Sequence, residues 1–170
     1  MSRWRHLQME CHASSHILQK IDGVHYKFLG DLELDPGKAY LDYNFAPPSL
    51  RRDIGILGLF HKRVLGLSHP IFQKLLPCCR DVPGSYCQGD HNRQLYGHLQ
   101  EANFQMALFC RSIFAMVFVY TRLPQAYIDC TTVASFQTCL SKMARRLCKD
   151  ASSYCGKVWS PHDDTDSLTH

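Results

Sequence analysis

Five groups of residues in this sequence are of types that do chemistry. Cys78, Cys79, Cys87 and His91 offer thiolate and imidazole ligands within one stretch, and Cys11, His12 and His16 do so within another. A zinc site needs four such ligands on a tetrahedron, and short spacings between paired ligands are what fix it. Here the spacing fits none of the compact knuckle or finger patterns. Cys11 and His12 would also point differently from a helix, so that group reads as ordinary side chains. Asp163 and Asp164 stand side by side in the polar tail "SPHDDTDSLTH", with no apolar hairpin around them, and read as solvated charge. His61 falls near the apolar arc of a predicted helix, where the ordinary occupant is an interior histidine satisfied by hydrogen bonds. No phosphate-binding glycine loop, nucleophile elbow or helical His-Glu metal motif is present. The expectation is a chain that is not an enzyme by itself and that needs no cofactor and no metal.

The fifth group is cationic. Arg51, Arg52, Lys62 and Arg63 form one set, and Lys142, Arg145, Arg146 and Lys149 form another. On a helix Arg51 lies with Lys62 and Arg52 with Arg63, away from the apolar arc; the second set gathers opposite its own apolar stripe. Such faces either solvate a helix or contact nucleic-acid phosphates, where each neutralised phosphate adds salt dependence. Few aromatics are interleaved with these cations, which argues against stacking on single-stranded bases. The formal net charge of +4 permits an acidic partner without demanding one.

These sets need helices to position them, and the periodicity supplies all-α elements. Over residues 11–29, Ile17, Ile21, Val24, Phe28 and Leu29 recur at helical spacing, with Gly30 as the stop. Asp35 before Pro36 predicts a capped short helix to about Asn44. In "APPSLRRDIGILGLFHKRVLGLSHP", a helix starting at Pro48 or Ser49 places Leu50, Ile54, Leu57, Val64 and Leu65 on one side and ends near Gly66. A short amphipathic turn, "PIFQKLL", follows. Residues 77–110 show no period and read as a long cysteine-containing loop. The run "RSIFAMVFVYTRLP", residues 111–124, fits a buried helix or a strand by periodicity; Ala115 and Met116 favour helix, and Pro124 ends it. Thr131 or Thr132 caps a last helix with the stripe Val133, Phe136, Leu140, Met143 and Leu147. The predicted fold is a small irregular bundle of about five helices. Its parts are a lead over 1–10, a helical segment over 11–76, the loop over 77–110, a helical pair over 111–150 and a polar tail over 151–170.

With 170 residues, 45% hydrophobic and 20% charged, the chain suits one domain with its own core. The longest apolar run, "IFAMVFVY", is far too short to span a bilayer as a helix. The N-terminal stretch lacks an apolar run of signal-peptide length. Nine cysteines, an odd number at irregular spacings, predict reduced and mostly buried thiols. That points to a nuclear or cytoplasmic protein, with an organellar complex as the alternative.

Two stretches together resemble a known family. "FAPPSLRRDIGILGLFHKRVLG", followed later by "RSIFAMVFVYTRLPQAYIDCTTVASFQTCLSKMARRL", is similar to the C-terminal region of non-LTR (LINE-type) retrotransposon reverse transcriptases. The shared features are the Arg-Arg helix that ends in His-Lys, and then Tyr120, Leu123, Pro124, Val133, Ser135, Phe136 and Leu140 in order. "HASSHILQKIDGVHYKFLGDLEL" resembles the segment that precedes the Arg-Arg helix. The likeness runs over about residues 11–150. It implies a thumb and post-thumb region whose helices lie along a template-primer duplex, so that the cations of 51–63 descend from phosphate contacts. The family's Tyr/Phe-Ala-Asp-Asp metal motif does not occur in this sequence, so the comparison implies no polymerase activity. Two functions are expected: nucleic-acid binding through the basic faces, or service as a structural or linking subunit of a larger protein assembly.

Overall fold

The computed structural model describes residues 15–76, 78, 95 and 115–150, and these are all-α. In chain order the helices are α1 (Ser15–Asp31), α2 (Pro36–Tyr43), α3 (Pro48–Val64), α4 (Pro70–Leu75), α5 (Ala115–Thr121), α6 (Gln125–Ile128) and α7 (Val133–Asp150). Among the described residues there are seven helices, against about five expected. α4 lies where the short amphipathic turn "PIFQKLL" was expected, and α6 is an added single turn that follows Pro124, too short to display a period. Cys78 and Leu95 make an isolated antiparallel bridge. The rest of the predicted loop, the N-terminal lead and the polar tail lie outside the described residues.

Local chemistry sets the helix ends. Asp35 accepts the Lys38 amide at 3.0 Å through Oδ1, and Pro36 occupies the first turn of α2. Thr132 caps α7: its Oγ1 accepts the Ser135 amide at 3.1 Å, and Ser135 Oγ returns a bond to the Thr132 carbonyl at 2.9 Å. At the end of α3, Gly66 takes a φ of 75° while Gly66 N–H donates to Arg63 O and Leu67 N–H to Lys62 O. That pair of bonds is a Schellman ending, for which glycine is the least strained residue. α1 ends the same way, but not at Gly30. Glu33 holds the left-handed position, with φ 54°, and Glu33 and Leu34 donate to Gly30 O and Leu29 O. The stop is therefore three residues later than Gly30 implied, because the reversal uses these two bonds and not the glycine.

α3 is the central element, packing against α7, α5 and α1, while α2 bridges α1 and α7. Leu50, Leu57 and Phe60 of α3 meet Tyr120 and Leu123 from around α5 and Phe136, Leu140, Met143 and Ala144 of α7 in one core. Gly58 marks the closest approach of α3 to α7: a Cβ there would collide with the Gln137 side chain. The buried arc of α3 is wider than the predicted stripe, since it includes Ile56, Gly58, Phe60 and His61.

All of the stripe that defines α1 except Leu29 faces the other way. Ile17, Ile21, Val24 and Phe28 are exposed, with Val24 at 72%, whereas Leu18, His25 and Leu29 are buried. The apolar arc of α1 is broad, and α2 and α3 cover only the edge that carries Leu18, His25 and Leu29.

The thiols are not uniformly reduced. Cys148, buried on α7, is disulfide-bonded, whereas Cys78, Cys130 and Cys139 are free. Odd number and irregular spacing alone could not reveal that bond.

Candidate functional site

The eight predicted phosphate-contacting cations divide by what already holds them. Arg52 spans to Asp22 of α1, with its two guanidinium nitrogens 2.9 and 3.0 Å from the two carboxylate oxygens. This bidentate fork is partly buried and ties α3 to α1. Arg63 Nε donates to the Leu76 carbonyl at 3.0 Å and so anchors the segment after α4. Arg145 reaches over the Tyr40 ring, donates to the Leu41 carbonyl and approaches Asn44 Oδ1, closing the end of α2 onto α7. These three build the fold.

The other five are exposed: Arg51 and Lys62 on α3, and Lys142, Arg146 and Lys149 on α7. Arg51 lies over the Phe45 ring at 5.3 Å, which orients its guanidinium without neutralising it. None of the five has a carboxylate partner among the described residues. Arg51 and Lys62 share one side of α3, and the other three share the side of α7 opposite Phe136, Leu140 and Met143. Because α3 and α7 meet through their apolar sides, the two rows flank the helix pair and do not merge.

Between these rows lies a buried polar network. His61 is fully buried and stacks on Phe136 at 4.1 Å with the planes 7° apart. Its Nε2 is 2.8 Å from the Cys130 carbonyl, which can only accept, so Nε2 carries the proton. Nδ1 then accepts from the Tyr120 hydroxyl at 3.1 Å. Both ring nitrogens are thus used in joining α3, α5 and the α6–α7 turn, and His61 is an interior structural histidine. The residues that carry the family resemblance occupy the same region. Tyr120, Leu123, Phe136 and Leu140 are fully buried, Pro124 precedes α6, and Ser135 serves the α7 cap.

Two titratable groups escaped the sequence reading. Asp53 is half-buried at the apolar side of α3, three residues after Leu50 and four before Leu57. Burial pushes its carboxyl up to about 7, against a smaller opposing pull from Arg52. The signal in the sequence was an acidic residue inside an apolar stripe. His25 stacks on Phe45 at 4.8 Å, and its buried Nε2 has no hydrogen-bond partner among the described residues. Burial lowers its pKa, Arg51 lowers it further, and Asp22 opposes both.

Among the described residues no group of three or more His, Cys, Asp or Glu could hold a metal ion. The two zinc candidates cannot be placed: His16 lies in α1 without a described side chain, Cys78 is buried, and the others lie outside the described residues. No helix among the described residues is long and apolar enough to cross a membrane. Comparison with protein-family models, with curated proteins and with solved structures finds no match.

Proposed function

We propose that this chain is a non-catalytic nucleic-acid-binding module derived from a non-LTR retrotransposon reverse transcriptase, and that it holds the phosphate backbone through its exposed cations. The observation that carries this reading is the set of five cations, Arg51, Lys62, Lys142, Arg146 and Lys149, exposed on α3 and α7 without carboxylate partners among the described residues. The resemblance supplies the ancestry: helices of this kind lie along a duplex. Arg52, Arg63 and Arg145 support the module by holding its helices together. Backbone contact of this type is indifferent to sequence and strongly dependent on salt. The test is binding to a short duplex over a salt series, with the exposed rows and the structural arginines mutated separately.

A second reading rests on α1. Ile17, Ile21, Val24, Phe28 and Leu32 form an apolar face, each residue about half exposed or more, and contiguous apolar faces of this kind mark protein contacts. On this reading the chain is a linking subunit of a larger assembly. Absence of nucleic-acid binding at low salt, together with copurification of other proteins at fixed stoichiometry, would favour it.

A further inference from the structure

We propose that Cys130 and Cys139 form a covalent modification site, a dithiol that small-molecule disulfides oxidise to an intramolecular disulfide. The two Sγ atoms lie 3.9 Å apart, both residues are partly exposed, and neither is bonded. A disulfide needs about 2.05 Å between sulfurs, so closure requires an approach of about 2 Å, within reach of side-chain rotation.

The surrounding structure holds the pair together. The Cys130 carbonyl accepts from His61 Nε2, and its amide donates to the Tyr127 carbonyl, which fixes the α6–α7 turn against the core. The Thr132 cap then sets the course of α7 and presents Cys139 from its second turn, over Cys130. The other described cysteines are differently placed: Cys78 is buried, and Cys148 is already in a disulfide.

The exchange proceeds in two steps. Burial and the neighbouring Cys130 thiol push the Cys139 thiol up, outweighing the pull of Lys142, which suits Cys139 to the resolving role. The Cys130 thiolate attacks one sulfur of glutathione disulfide, forming a mixed disulfide and expelling one glutathione thiolate. Cys139 then loses its proton to solvent and attacks the Cys130 sulfur, releasing the second glutathione. The protein dithiol loses two electrons and two protons, and one glutathione disulfide becomes two glutathione thiols. The product ties the α6–α7 turn to α7.

The experiment treats the native full chain with glutathione disulfide, quenches with acid, and reads the tryptic peptide of residues 123–142 by mass. That peptide holds Cys130 and Cys139 and no other cysteine. The expected product is lighter than the reduced peptide by two hydrogens. With Cys139→Ser the second step is lost, and a single glutathione adduct accumulates on Cys130. Two adducts on the wild-type peptide would overturn the proposal. So would an unmodified peptide that becomes oxidised only after denaturation, or pairing of either cysteine with one outside the peptide.

Discussion

Removing the charge of Asp53 should strengthen this protein, and by an amount that depends on pH. The carboxyl ordinarily titrates at 3.8 and in the fold at about 7. Below 3.8 it is protonated in folded and unfolded chains alike, so it makes no difference to stability. Between 3.8 and 7 the unfolded chain has released the proton that the folded chain still holds. The native state then binds more protons, and stability falls as pH rises. Above 7 the penalty levels off. The shift of 3.2 units, 7 minus 3.8, corresponds at about 1.36 kcal/mol per unit to a ceiling of about 4 kcal/mol. The same two values give a penalty of about 1 kcal/mol at pH 4.5 and about 4 at pH 8. Residual water contact of the partly exposed side chain trims this, so Asp53→Asn should gain about 2–3 kcal/mol relative to wild type between pH 4.5 and pH 8. Urea unfolding followed by helical circular dichroism at both values measures it. The amide costs the same at each pH, so the difference isolates the charge. A gap that stays constant with pH would refute the reasoning, as would an Asn variant less stable than wild type at pH 8 by more than at pH 4.5.

Two further perturbations probe the scaffold. Glu33→Gly should stabilise by about 0.5–1 kcal/mol, because it places the residue best suited to a left-handed ending where α3 already uses Gly66; thermal unfolding reads the gain. Tyr120→Phe should cost about 1–3 kcal/mol, because it leaves His61 Nδ1 buried without its donor; urea unfolding checks the loss, and an unchanged midpoint would show that the network contributes nothing.

Legibility in the sequence followed the one-sidedness of each helix. α7 was readable because its apolar and basic faces are sharply opposed, and Phe136, Leu140 and Met143 are buried as its stripe implied. α3 was readable in register, although its buried arc proved wider, and the acidic Asp53 beside it passed unnoticed. α1 was readable as a helix and misleading as a surface. Periodicity locates an apolar arc, but which edge of a broad arc is covered depends on where α2 and α3 arrive. The cations show the same limit. Arg51 and Arg52 are neighbours of identical type, yet one is exposed while the other is forked onto Asp22, 30 residues earlier. Only the meeting of α1 with α3 decides that, and no local pattern encodes it. His61 was legible as an interior histidine, but its partners at positions 120 and 130 were not.

The salt dependence of duplex binding tests the central claim most directly. Affinity for a short DNA duplex should fall log-linearly with salt, with a slope of about −2 to −5, since each of two to five engaged cations contributes about −0.9. The triple variant Lys142→Ala, Arg146→Ala, Lys149→Ala should keep its helical signal and flatten the slope by up to about 2.7. Arg52→Ala should lower the unfolding midpoint and leave the slope of the folded protein unchanged. No binding at 50 mM salt by folded wild-type protein would contradict the account, and so would a slope indifferent to loss of both exposed rows.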